Sequence, residues 1–194
     1  MTRTVSRLYD SYSQAQRAVE ALEQAGFSSS EVSLISRYRD DNTLADDASG
    51  TATGAAAGAV VGGGAGLLAA LGVIAIPGIG PLVAAGVLAT TLAGAAGGTA
   101  IGGIIGALTD YGVSEEDAHL YSEGIRRGGS LVTVRTDDAR SGKADTILNS
   151  LRPVDVGQRR EVYRKAGWSK YDPASKGYTA DEIRKDREMY GRQL

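Results

Sequence analysis

The residues best suited to chemistry are a single histidine and the carboxylates spaced four residues on either side of it. His119 is the only histidine, and Glu115 and Glu123 lie one helical turn before and after it. On one face of a helix this spacing suits a metal ion or a general base tuned by carboxylates. A solvent-facing histidine among carboxylates is the simpler interpretation, so we expect no metal site and no catalytic base.

Other catalytic motifs are incomplete. Ser114 and Ser122 lie near His119, but a nucleophilic pair also needs an orienting group and an oxyanion hole, for which the sequence offers no candidates. The pair Gly78 and Gly80 lacks the third glycine of a dinucleotide fingerprint, and no lysine is available for a phosphate-binding loop. Cysteine is absent, which excludes a thiolate nucleophile and a disulfide framework. We therefore predict a non-enzymatic protein without a cofactor, metal ion or small-molecule substrate.

Two segments, residues 1–47 and 110–156, combine strand and helix signals in a similar order. Each contains a helix with apolar residues at positions i, i+3, i+4 and i+7, which marks one buried face. Ser11 and Ser114 begin capping boxes, and Gly26 is placed to end the first helix. The buried faces are Ala15, Ala18, Val19 and Leu22 in the first segment, and Ala144, Ile147, Leu148 and Leu151 in the second.

These signals predict an α+β fold, a ferredoxin-like split βαβ…αβαβ sandwich in which helices cover one face of a sheet. Strands are expected around Val5 to Tyr9, Val32 to Ile35 and Leu131 to Val134, with Val154 and Val156 in a last edge strand.

Between the two halves, residues 48–109 contain no charged residue. Two arms of about 25 residues flank a central turn, and each arm is long enough for a helix that crosses about 30 Å of hydrocarbon. We predict a Gly/Ala-rich helical hairpin that interrupts the α+β domain. Its turn is formed by Pro77, Gly78, Gly80 and Pro81.

Glycines recur every four residues in the first predicted arm, and in the second with Thr90 in place of one glycine, so they form a stripe along each helix. Such a stripe lets two helix backbones approach closely, as in small-xxx-small packing within membranes. The predicted helix-packing residues are Gly54, Gly58, Gly62 and Gly66 in the first arm, and Gly86, Gly94, Gly98, Gly102 and Gly106 in the second.

The charge-free segment has three interpretations. A flexible linker is disfavoured, because residues 48–109 include apolar pairs such as Leu67-Leu68 and Ile104-Ile105. A soluble assembly, in which hairpins bury one another, is the second interpretation, because alanine and glycine contribute little free energy to membrane insertion. We favour insertion into, or association with, a lipid membrane.

Residues 157–194 form a basic, aromatic C-terminal tail with ten basic and six acidic residues. Cations beside amphipathic aromatics suit a lipid headgroup zone or single-stranded nucleic acid. Interleaved acids and a pI near 5.5 argue against nucleic acid. The tail could also dock on its own domain or on the acidic surface of a neighbouring copy.

The segments Tyr111–Tyr121 (YGVSEEDAHLY) and Gly128–Val134 (GGSLVTV), with Val5 to Ile35, resemble the bacterial general stress protein domain of the YflT (heat-induced stress protein) type. The similarity extends over residues 3–135 and includes the Ile-Pro-Gly-Ile-Gly-Pro turn at 76–81. It implies a bacterial protein expressed under stress. It implies no established reaction and no catalytic residues.

Together these features predict a stress-response protein that self-associates through glycine-zipper helices in or on the cytoplasmic membrane. Both α/β halves are expected in the cytoplasm, because the polar N-terminus does not resemble a secretory signal. The expected partners are copies of itself and lipid. The alternative is a soluble, cytoplasmic, self-assembling scaffold whose hairpins form a shared helical core.

Overall fold

The structure is a computed structural model that describes residues 2–37, 72–76, 80–95 and 103–191. In these residues a mixed α/β fold combines an antiparallel sheet with seven helices. The strands are β1 (Thr2–Tyr9), β2 (Val32–Ser36), β3 (Gly72–Ile76), β4 (Gly80–Ala85) and β5 (Ser130–Asp137). The helices are α1 (Tyr12–Gln24), α2 (Val87–Ala95), α3 (Gly103–Asp110), α4 (Glu115–Arg126), α5 (Asp138–Ser150), α6 (Val156–Lys165) and α7 (Ala180–Gly191).

The sheet has the strand order β1-β5-β2-β4-β3. Strand β5 is antiparallel to β1 on one side and to β2 on the other, so β1 and β2 run parallel and α1 connects them. Strand β4 pairs with β2, and β3 pairs with β4, both antiparallel. The two segments on either side of the charge-free region are thus interleaved in one sheet.

Helices cover both faces of the sheet, and the prediction of one covered face is wrong. Neighbouring residues such as Leu8 and Tyr9, or Leu34 and Ile35, are all buried although they point to opposite faces. One core, against α1 and α5, contains Tyr9, Ala18, Val19, Leu22, Leu34, Val132, Val134, Ala144 and Leu148. The other, against α2, α3 and α4, contains Leu8, Ile35, Leu82, Leu88, Leu92, Ile104, Leu108, Ile125 and Leu131.

The predicted caps form as the sequence indicates. Ser11 Oγ accepts a hydrogen bond from Gln14 N (3.3 Å), and Ser114 Oγ accepts one from Asp117 N (3.2 Å). Gly26 follows α1 with φ +89°, the left-handed conformation expected at a glycine C-cap. The capped helices α1 and α5 bury Ala15, Ala18, Val19, Leu22, Ala144 and Leu148 on the predicted faces.

The predicted helical hairpin is wrong for the part of 48–109 that the structure describes. Residues 72–76 and 80–85 form an antiparallel pair of strands, and two short helices, α2 and α3, follow. Valine and isoleucine favour strands, and pairing with β2 gives this region a sheet to join. The spacing of glycines within one segment carries no information about pairing with a strand that is distant in the sequence.

The strand order does not confirm the predicted ferredoxin-like arrangement, because β4 and β3 extend the sheet beyond β2. The last edge strand predicted around Val154 is also wrong. Val154 N donates one hydrogen bond to Leu8 O (2.8 Å), and the chain then enters α6 at Val156. Asp155 ends this pairing because its side chain caps α6 through Gln158 N (2.8 Å).

In the described part of the chain, no helix combines the length and the apolar character needed to cross a membrane.

Candidate functional site

The end of the sheet formed by β4 and β3 is the best candidate for a functional surface. Ile76 is paired with Gly80 and Gly72 with Ala84, so the two strands form a tight antiparallel pair. Strand β3 ends the sheet, and among the described residues no strand pairs with its outer side. The pair lies inside the charge-free run 48–109. Within the ranges that the structure describes, this edge therefore presents a neutral strand with one unpaired side.

The start of α2, which follows β4, packs against the domain and is hydrogen-bonded to it. Gly86, between β4 and α2, has φ +85°, and a side chain there would overlap the carbonyl oxygen of Val32. Ser33 Oγ accepts a hydrogen bond from Leu88 N (3.2 Å), and Leu88 and Leu92 are buried in the core. The charge-free region is thus partly built into the fold.

Of the predicted helix-packing glycines, the structure describes the surroundings of Gly86 and Gly106. Gly86 lies at a bend, where its role is a left-handed backbone conformation. Gly106 lies in α3, and a Cβ placed on it would meet nothing within 4 Å. Gly94 lies within α2. Gly54, Gly58, Gly62, Gly66, Gly98 and Gly102 lie outside the described residues.

The predicted turn was expected to join two helices, whereas strands β3 and β4 lie on either side of it. Gly80 and Pro81 are the first two residues of β4, and Pro81 pairs with Ala75 of β3. Pro77 and Gly78 lie outside the described residues. The elements on either side of this turn were predicted to be helices and are strands.

Among the residues considered for catalysis, His119 does not face solvent as predicted, because its side chain is only 21% exposed, and the two serines make hydrogen bonds at or within α4. His119 Nε2 lies 3.9 Å from Glu115 Oε1, whereas the Glu123 carboxylate binds arginines. Ser114 caps α4, and Ser122 is buried with its hydroxyl donating to Ala118 O (2.7 Å). Within the described ranges, no group of three or more histidine or acidic side chains could hold a metal ion.

A buried ionic cluster at the end of α4 was not predicted. Glu123 is 1% exposed, and it accepts hydrogen bonds from Arg126 Nε (2.8 Å) and Arg127 Nε (2.6 Å). Burial alone would lower the pKa of Arg126, but the hydrogen bonds and the charge of Glu123 outweigh it and raise this pKa. The i, i+3, i+4 spacing of Glu123, Arg126 and Arg127 was the available signal.

This cluster holds the C-terminal tail against its own domain. Arg126 Nη1 donates to Lys176 O (2.7 Å), Arg127 Nη1 lies 3.4 Å from Asp186 Oδ1, and Ile183 of α7 packs beside Gly128. The guanidinium of Arg127 also lies 4.2 Å from the centre of the Tyr163 ring. Of the tail interactions considered from the sequence, docking on its own domain is the one seen here.

Basic residues of α6 bind acidic residues of the α/β domain. Both Arg159 terminal nitrogens donate to the Asp10 carboxylate at 2.8 Å, and Arg160 Nη2 donates to Asp117 Oδ1 at 2.6 Å. Arg164 lies 3.4 Å from Glu116. These contacts use part of the tail charge that the sequence had suggested for a membrane surface or a neighbouring copy.

None of the family models, curated proteins and solved structures compared with this chain matches it.

Proposed function

We propose that this protein is a non-enzymatic, self-associating protein whose copies join by pairing their β3 strands. The observation that carries the proposal is the position of β3, the last strand of the sheet, in a stretch without charged residues. An unpaired strand edge presents a row of N–H and C=O groups that can continue the sheet into another chain.

Natural proteins protect a free edge with charged side chains, prolines or bulges. The sequence of β3, Gly-Val-Ile-Ala-Ile, has no charge and no proline, and its valine and isoleucines favour strands. A neutral strand also meets no like-charge repulsion when it pairs with a copy of itself. These properties favour a second copy as its partner.

The opposite edge of the sheet is less suited to pairing with a copy of itself, because like charges would meet there. Strand β1 carries Arg3 and Arg7, and Val154 is hydrogen-bonded to its far end at Leu8. Self-association through the sheet is therefore expected at β3, with the two sheets joined across a two-fold axis. Assemblies larger than a dimer would need a second contact.

We also propose that β1, α1, β2, β5 and α5 are a ferredoxin-like split βαβ core to which the β3–β4 pair has been added. The position of β5 between β1 and β2, with α1 and α5 on one face, supports this relationship. The resemblance of Tyr111–Tyr121 and Gly128–Val134 to YflT-type domains supports a role in the stress response.

The test compares the mass of the native chain with that of lysine variants in β3. Val73→Lys and Ile74→Lys each add one charge to β3, and Ser13→Lys adds the same charge on the exposed face of α1. We expect sedimentation velocity to show a species larger than the 20.0 kDa chain for wild type and Ser13→Lys. Both β3 variants should sediment as monomers.

A membrane-embedded hairpin is the competing account, and fractionation of cells separates it from strand pairing. Strand pairing predicts a carbonate-extractable protein that keeps its association in water. A protein that resists the carbonate wash, or a wild type that is monomeric at high concentration, would contradict the proposal.

A further inference from the structure

At the other edge of the sheet, β1 forms the floor of a groove of about 390 Å³. One wall is formed by the start of α4 and the turn before it, including Gly112, Ser114 and Tyr121. The other wall is formed by α5, including Ser141 and Gly142. Because α4 and α5 lie on opposite faces of the sheet, the groove follows the outer edge of β1.

Backbone groups of β1 point into this groove. Leu8 O accepts a hydrogen bond from Val154 N, and Ser6 O accepts from Tyr121 Oη (3.2 Å), so both carbonyls point away from β5. Alternate residues of a strand share a direction, so the N–H groups of Thr4 and Ser6 and the C=O of Thr4 point the same way. In the described part of the chain, neither N–H has an acceptor on this side.

Val154 marks the line that a further strand would follow. It makes a single backbone hydrogen bond to β1 before the chain leaves the edge for α6. Of the described residues, only Val154 is joined to the outer edge of β1 by a backbone–backbone hydrogen bond. The N–H groups of Thr4 and Ser6 and the C=O of Thr4 therefore offer the pattern that an extended polypeptide recognises, whereas Ser6 O already accepts from Tyr121 Oη and from Arg7 Nη1 (2.8 Å).

The charges at the groove are already matched. Arg7 binds Asp145 and Asn149, Arg160 binds Asp117, and Arg3 lies 3.4 Å from Asp138. A charged side chain entering between these walls would lose hydration without gaining an unused counterion. The charge balance thus favours an uncharged segment.

The walls also leave room for small side chains. Gly112 and Gly142 line the groove, and a Cβ placed on either residue would meet nothing within 4 Å. The hydroxyl groups of Ser114 and Ser141 lie beside them and are already hydrogen-bonded to Asp117 and to Asp138 O. We propose that this groove binds an extended, uncharged polypeptide segment with small side chains, which adds to β1 as a further strand.

The test uses the isotopically labelled full chain and one probe, the capped peptide acetyl-Ala-Thr-Val-Thr-Ala-Ser-amide. At a peptide concentration about ten times its Kd, hydrogen exchange at the Thr4 and Ser6 amides should slow about tenfold. A peptide with glutamate at both threonine positions should not slow it. Unchanged exchange at Thr4 and Ser6 with millimolar probe would overturn the proposal.

A groove-filling variant gives a second readout. Gly142→Trp occupies the groove without meeting a neighbour at its Cβ, and Ala139→Trp adds the same side chain to an exposed position of α5 outside it. The peptide should no longer slow exchange at the Thr4 and Ser6 amides in Gly142→Trp, and it should still slow it in Ala139→Trp. Equal protection in both variants, or protection that rises with protein concentration in the absence of peptide, would contradict peptide binding at this edge.

Discussion

At the scale of single residues, Glu123 is the most deeply buried carboxylate among the described residues. Its two arginine partners have side chains only 11% and 9% exposed, so removing the carboxylate leaves Arg126 without this counterion and Arg127 with Asp186 at 3.4 Å. We predict that Glu123→Ala lowers the free energy of unfolding by about 3 kcal/mol in urea titrations. The control Glu161→Ala, on the exposed face of α6, should change it by less than about 0.5 kcal/mol. Similar losses in both variants would contradict this role.

Glu31 joins the start of β2 to β5 and α5. Burial raises the pKa of its carboxyl, but hydrogen bonds from Ser28, Thr136 and Arg140 outweigh burial and lower the pKa to about 2. Since the pKa is lower in the folded state, the stabilisation is present above the ordinary value of 4.5 and is lost as the pH falls towards 2.

Solvent screening reduces this contribution to about 1 kcal/mol, because the Glu31 side chain is 21% exposed. We predict that Glu31→Gln removes that share of the loss of stability between pH 4.5 and pH 2. Urea unfolding at a series of pH values measures it. If the free energy of unfolding depends on pH in the same way for wild type and Glu31→Gln, the hydrogen bonds do not stabilise the charged carboxylate.

At the scale of elements, the junction between β4 and α2 depends on Gly86. Gly26 and Gly86 both have positive φ, but only at Gly86 would an added Cβ overlap a neighbouring backbone atom. We predict that Gly26→Ala lowers the free energy of unfolding by about 1 kcal/mol and Gly86→Ala lowers it by about 3 kcal/mol. Thermal or urea unfolding of the two variants checks the difference, and equal costs would mean that the junction can shift.

Elements governed by local signals were predictable from the sequence. Helix α1 has a clear apolar face, α5 has a shorter one at Ala144 and Leu148, and α1 and α4 have serine caps. Caps and periodicity depend on residues within a few positions, so they can be read locally. The hydroxyl of Thr179 caps the final helix, α7, through Glu182 N (3.3 Å), which is a signal of the same local kind.

The β3–β4 pair was not predictable in the same way. Its glycines and alanines fit both a helix and a strand, and the deciding partner, β2, lies more than thirty residues earlier in the sequence. The second covered face and the groove at β1 were missed for the same reason, since both depend on how distant segments pack. Glu123 was considered only as a neighbour of His119, and its ion pairs with Arg126 and Arg127 were not predicted.

At the scale of the whole molecule, the two ends of the sheet differ in character. The β1 end has arginines, helices on both sides and matched ion pairs, whereas the β3 end is free of charge. This polarity predicts that copies join at β3 and leave the groove at β1 accessible. Each copy in a two-fold assembly would then carry one outward groove.

The most direct test of self-association at β3 is hydrogen–deuterium exchange measured over a range of protein concentrations. We predict that the amides of residues 72–76 become more protected as the concentration rises, in parallel with the increase in mass, while those of Thr4 and Ser6 do not. If residues 72–76 exchange at the same rate at every concentration while the mass increases, the copies join elsewhere and the account is contradicted.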